Sequence, residues 1–222
     1  MKTFTKLTAI LLLFLTTTSC FVDGLTGIKG NGEVVSEDRT VNSNFNEIKV
    51  QQGIQVFLTQ GNSTELRVEA DENIIDLLIT EVKNNELKIY FEKNVYKAKS
   101  RNVYLTANEI SKIKTSSGAL VKTENTIETN TIELDSSSGS SIKVTVNANE
   151  ISSSSSSGSN INIYGKTKTF SASASSGSSI DADKLETINT SAKVSSGANI
   201  DVNVLGKLVA KASSGGSIDY EG

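Results

Sequence analysis

The chain has 222 residues, no histidine, no proline and no tryptophan, and 22 basic against 25 acidic side chains for a formal net charge of −3. Without histidine a Ser-His-Asp nucleophile is excluded and the commonest metal ligand is missing; without surplus positive charge, nucleic acid is not an expected partner. The missing proline suits a chain made of hydrogen-bonded strands, because each proline would delete a ladder donor.

At the N-terminus, Lys2 and Lys6 precede an apolar run from Leu7 to Leu15 and then Thr17, Thr18, Ser19 and Cys20, the sole cysteine. This is an export signal, too short for a mature transmembrane helix. It resembles a bacterial lipoprotein signal, although Thr17 stands where leucine is usual. Residues 1–19 are therefore expected to be removed and Cys20 to be lipidated, with several acyl chains giving stable membrane anchoring. Cleavage would leave 20 basic and 25 acidic side chains, and residues 20–32 would form a tether to the body of the protein.

Residues 33–106 alternate apolar and polar positions: Ile48 and Val50, then Ile54, Val56 and Leu58 after Gly53, then Leu66 and Val68, Leu87 to Phe91, and Val103 and Leu105. A period of two between Gly and Asn turns predicts half-buried strands, here irregular β coils. Ile74 to Val82 fits a short helix or a strand after a turn at Asp71–Asn73. Glu69, Asp71 and Glu72 read as turn chemistry, since a calcium site needs six to eight oxygens.

Residues 107–222 repeat. Ser-Ser-Gly corners end at Gly118, Gly139, Gly158, Gly177, Gly197 and Gly215, spaced 21, 19, 19, 20 and 18 residues apart, each with an apolar residue three places on. Such a period marks a solenoid. Apolar or small residues recur at −7, −5 and −3 from each glycine and at +3 and +5, so two strands face one interior across a bend where glycine supplies positive φ. Stacked in parallel at about 4.8 Å, six coils rise about 29 Å. The expected fold is all-β, a right-handed parallel β-helix of about 20 residues per coil, with residues 33–222 as one domain. The last coil, ending SIDYEG, has no evident cap, and oligomeric state is not legible.

The stretch GNGEVV, NEIKVQQGIQVFLTQG, LRVEADENI and TEVKNNELKIYF, with the downstream corners and the lipoprotein-like signal, resembles the head GIN domain family of auto-transporter adhesins from Bacteroidetes-type bacteria. That resemblance implies a β-helical exported protein at the cell envelope with a role in adhesion. It carries over no catalytic residues and no cofactor.

Two surfaces invite a binding role. The serine runs 136–138 and 152–157 either present hydroxyls to a glycan or satisfy backbone groups at the corners, and alternate serines must face opposite sides of a strand. Tyr96, Lys97, Lys99 and Arg101, near Tyr90, Phe91 and Tyr104, form the main aromatic and basic cluster and the expected ligand patch, with rings for sugar faces and cations for acidic groups. Asp181, Asp183 and Asp201 follow successive corners and would repel one another unless cations intervene in a weak ion site. The expected function is a non-enzymatic outer-membrane lipoprotein adhesin, on the surface or periplasmic face, binding polysaccharide or protein. The alternatives are a structural envelope component or a polysaccharide-degrading enzyme.

Overall fold

The computed structural model describes residues 27–222; the expected export signal, Cys20 and the first part of the expected tether lie outside the described residues. The strands are β1 (Ile28–Lys29), β2 (Val34–Arg39), β3 (Glu47–Val50), β4 (Gln55–Gln60), β5 (Glu65–Asp71), β6 (Leu78–Lys83), β7 (Glu86–Phe91), β8 (Val95–Lys97) and β9 (Arg101–Ala107). They continue as β10 (Lys112–Thr115), β11 (Leu120–Thr123), β12 (Ile127–Ser136), β13 (Ser141–Ser155), β14 (Asn160–Ala174), β15 (Ser179–Val194), β16 (Asn199–Ala212) and β17 (Ser217–Glu221). The ambiguous Ile74 to Val82 stretch resolves into both forms: a 3-10 turn at Ile75–Leu77 followed by β6.

From β10 onward the chain is a parallel β-solenoid with partners 18 to 21 residues apart across most of each coil, as the repeat predicts. Its interior is built from in-register columns. One runs Val103, Val56, Val121, Ile142, Ile161, Ile180, Ile200 and Ile218, and every member before Ile218 is buried. β-Branched side chains suit such a column, because their stiff χ1 packs well on a pleated surface. Each fully buried member contributes about 1.5–3 kcal/mol. A second column thins along the stack, from Leu87, Ile48, Ile113 and Leu134 to Ser153, Ala172 and Ala192.

The corners are tighter than glycine alone would make them. Ser117, Ser138, Ser157, Ser176, Ser196 and Ser214 also have positive φ, between 48° and 55°, immediately before their glycines. Two consecutive positive φ values and a closing bond such as Ala119 N–H to the Ser116 carbonyl, 3.2 Å, match a type I′ turn. The five corner glycines from Gly118 to Gly197 then donate their N–H to the carbonyl of the positive-φ serine one coil on, at 3.1–3.2 Å. Inside the bend, Ser140, Ser159 and Ser178 are buried and bond to backbone groups of their own and adjacent coils. The 20- and 18-residue spacings are absorbed away from the corners, as register shifts in the β14–β15 and β15–β16 pairings.

Residues 33–106 contain two coil levels and an antiparallel cap. Gln51, Gln52 and Gly53 make one more corner of the same kind, with φ of 60° and 68° at the last two and a 2.9 Å bond from Gly53 N–H to the Ser117 carbonyl. The stacking order departs from sequence order: β3 lies between β7 and β10, and β4 between β9 and β11. Beyond that level, β5 runs antiparallel on β9, β2 on β5, and β6 on β7. These strands close the N-terminal end of the stack.

Asp71 ties this cap together. Its fully buried carboxylate accepts bonds from the backbone N–H groups of Gly32 (2.8 Å), Lys99 (2.9 Å) and Ser100 (2.9 Å). Burial opposes ionisation, but the three donors and the Lys99 charge outweigh it and hold the carboxyl below its ordinary range. Arg39 fastens the other side, donating to the carbonyls of Leu78 and Ile75.

Candidate functional site

Strand alternation sends one residue of each coil, four places after the corner glycine, to the solvent side of the post-corner sheet. In-register pairing lines these residues up about 4.8 Å apart. The row reads Tyr104, Phe57, Lys122, Lys143, Asn162, Asp181, Asp201 and Asp219. The antiparallel cap extends it, since Arg67 pairs with Tyr104 and Asp38 with Arg67. A single straight row therefore passes from an ion pair to two aromatics, two lysines, an asparagine and three aspartates.

The aromatic part is ordered. The rings of Phe57 and Tyr104 stack with centroids 5.1 Å apart and planes 15° from parallel. Tyr104 is 41% exposed although it sits mid-strand. Beside the pair lies a groove of about 760 Å³ lined by Arg67, Glu65, Thr59 and Glu124 among others. Arg67 Nε lies 3.0 Å from Asp38 Oδ1, and Lys122 Nζ 2.9 Å from Glu124 Oε1. Farther along, Lys143 and Lys184 approach the Tyr164 ring at 5.7 and 5.8 Å. An exposed ring stacked on a half-buried one beside cations offers a flat apolar surface for a pyranose ring and point charges for an acidic substituent.

The aspartate end behaves differently. Burial, then the charges of Asp219, Asp181 and Asp183, push the Asp201 carboxyl up, and burial together with Asp183 does the same to Asp181. Stacked carboxylates repel, as their spacing in the sequence implied, and the Lys184 charge only partly offsets this at Asp181.

The other outer face carries an ion-pair network. Lys112 Nζ lies 2.6 Å from Glu133 and 3.8 Å from Asp135, and Lys114 lies 3.5 Å from Glu86. The Lys112 hydrogen bond draws the Glu133 carboxyl down, while burial and the Glu133 charge push Asp135 up. Next to it the serine run divides by parity: Ser152 and Ser154 are exposed, while Ser153 and Ser155 are buried. Exposed Ser171 and Ser173 lie beside Ser152 and Ser154 in register.

The expected ligand cluster is spread over separate surroundings. Tyr96 and Lys97 are exposed on β8, which pairs with β1 in a two-stranded ribbon. Lys99 has an exposed side chain but a backbone N–H bound to Asp71. Arg101 is half-buried beside the Gly53 corner, where a Cβ on that glycine would come within 2.9 Å of its guanidinium; burial lowers its pKa against the pull of Asp71. Phe91 is buried, and the Tyr90 hydroxyl lies 3.2 Å from Glu81. None of Tyr96, Lys97, Lys99 and Arg101 lines the groove at Tyr104. Its partner Phe57 escaped the sequence reading, although its place four residues after Gly53, where later coils carry Lys, Asn or Asp, was a usable signal.

Residues 44–222 match the family described as "Putative auto-transporter adhesin, head GIN domain", and the chain belongs to that family. Three solved structures share the fold. A "putative adhesin" from Bacteroides fragilis superposes with a TM-score of 0.79 at 17% identity, covering 87% of this chain and 100% of that one. A "putative lipid binding protein" from Parabacteroides distasonis gives 0.65 at 18%, covering 87% and 98%. A "putative adhesin" from the same species gives 0.65 at 20%, covering 87% and 99%. No curated protein matches in sequence.

Proposed function

We propose, with membership of the head GIN domain family as the premise, that this is a non-enzymatic adhesin of the cell envelope, held by a lipid on Cys20, that binds acidic polysaccharide along its post-corner face. The observation that carries the reading is the stacked Phe57–Tyr104 pair in one row with Lys122 and Lys143. A sugar ring on the aromatic pair would place its neighbours over the lysines, one sheet spacing apart per coil. The chain holds no histidine, and Glu133, the lower-pKa carboxylate of its pair with Asp135, is occupied by Lys112. Both facts favour binding over catalysis.

Titration with a panel of acidic and neutral oligosaccharides tests the ligand class. Binding is expected for uronate-bearing chains, to be lost in Tyr104→Ala and to lose its salt dependence in Lys143→Ala. Retained binding in Tyr104→Ala with loss in Tyr96→Ala and Lys97→Ala would move the site to the β8 ribbon. Silence across the panel would overturn the polysaccharide reading and favour a structural envelope component. Protease shaving of intact cells, with a lysed control, tests surface display: survival of the C-terminal coils until lysis would place them in the periplasm and count against adhesion.

A further inference from the structure

The two ends of the solenoid differ. The N-terminal end is closed by β2, β5 and β6. At the other end, residues 207–212 of β16 and all of β17 have a strand partner on one side only among the described residues. Positions that face the interior in every earlier coil lie open there: Tyr220, which stacks after buried Val202, is 71% exposed, and Ala210 and Ala212 are exposed too. Ile218 and Leu208 are only partly covered. Unpaired N–H and C=O groups over an apolar floor are a template for another strand.

The outward residues of this edge identify the strand that fits. β16 presents Lys207 and Lys211, and β17 presents Asp219 and Glu221. β16 runs into the 213–216 corner and β17 runs out of it. A twofold axis through that corner lays residues 207–212 of one copy antiparallel to β17 of another, with one lysine of each strand directly against a carboxylate and the remaining charges diagonal to it on both sides of the axis. The alternative twofold, each strand over its own counterpart, sets lysine on lysine and carboxylate on carboxylate. Head-to-tail stacking meets the closed cap. We infer that the protein self-associates through its C-terminal coil as a closed, twofold dimer with antiparallel β16–β17 pairing.

Such a dimer places the two N-termini at its opposite ends. With each N-terminus held in a membrane, a clause that rests on the anchoring proposed above, the pair joins two facing surfaces, and its partner for adhesion is a second copy of itself. The self-association needs neither the anchor nor a glycan.

Sedimentation of the purified protein tests it. The expected result is a monomer–dimer equilibrium that stops at twice the monomer mass and weakens with salt. Lys207→Glu with Lys211→Glu makes both edge strands acidic, and Asp219→Lys with Glu221→Lys makes both basic. Each double variant should lose roughly tenfold or more in self-affinity. An equimolar mixture of the two should dimerise, which misfolded variants would not do. A monomer at every concentration, a mass that keeps rising, or a mixture that stays monomeric would overturn the proposal. Beads carrying the protein by its N-terminus should clump, and the two variant populations should clump only when mixed; dispersed beads from a protein that dimerises in solution would overturn the bridging role alone.

Discussion

Two serines six residues apart should respond oppositely to the same substitution. Ser153 and Ser159 are each 2% exposed. The Ser153 hydroxyl has no hydrogen-bond partner in its column between Leu134 and Ala172. Ser159 Oγ accepts from Ser156 N–H at 3.1 Å, donates to the Ser136 carbonyl at 2.7 Å and touches the Ser155 hydroxyl at 2.8 Å. Removing the Ser153 oxygen relieves a desolvation cost of about 1–3 kcal/mol. It leaves a void of about 15 Å³, which at about 24 cal/mol per Å³ costs about 0.4 kcal/mol. Ser153→Ala should therefore stabilise by about 1 kcal/mol, a rise of roughly 2–4 °C in Tm for a body of this size. Ser159→Ala deletes a hydroxyl bonded to Ser155, Ser156 and Ser136, while the Ser156 N–H keeps its 3.0 Å bond to the Ser136 carbonyl, and should destabilise by about 1 kcal/mol. Paired thermal and urea melts followed by circular dichroism decide it. An unchanged or lowered Tm in Ser153→Ala would refute the reasoning, and so would equal shifts in both variants.

Two further expectations concern glycine and pH. A Cβ at Gly158 meets nothing within 4 Å, so Gly158→Ala should cost only its positive-φ strain, about 1–2 kcal/mol. A Cβ at Gly165 would overlap the Val146 carbonyl of the adjacent coil, where φ is also positive, so Gly165→Ala should cost about 3 kcal/mol or more; melts that rank the two in reverse would contradict the packing. The carboxylates separate with pH. Asp71, whose pKa is lowered by folding, contributes stability that is present above its unfolded value, about 3.9, and lost as pH falls through the folded one, so Asp71→Asn should lower Tm at pH 7 and matter less in acid. Asp201, whose pKa is raised, loses stability as pH climbs from its unfolded to its folded value, so Asp201→Asn should raise Tm at neutral pH and converge with the parent below about pH 4. Parallel Tm profiles for either variant would show that the carboxyl is not the source.

The solenoid was legible because its corners carry their own chemistry: a positive-φ bend selects glycine, and alternation on both sides reports a shared interior. The corner at Gly53 was hidden by Gln51 and Gln52, which adopt the same bend without the serine signature. The stacking order was hidden for a deeper reason. Nothing in the local periodicity of β3 says that its neighbours are β7 and β10 rather than the next strands in sequence. Phe57 and Tyr104, 47 residues apart, become partners only through that order, so the ring pair could not be read from spacing. Tyr96 to Arg101 showed the converse: adjacency in sequence divided between a ribbon, a buried carboxylate and a corner.

The inverted order of the first levels bears on how the molecule is made. The strands β3 and β4 are the first of the coil strands in sequence yet have coils on both sides, so both edges of both strands are covered only once residues up to Thr123 are available. Loop closure over that span precedes the β3–β10 and β4–β11 contacts that reward it, whereas the β6–β7 pairing is local. The block from β3 to β11 holds the levels that stack out of sequence order, and each later coil pairs with the one before it, so beyond this block the stack is extended by nearest-neighbour contacts. Shortening the protein from its C-terminal end would remove levels one at a time, while loss of β3 and β4 would part the levels on either side and leave the later coils without a template.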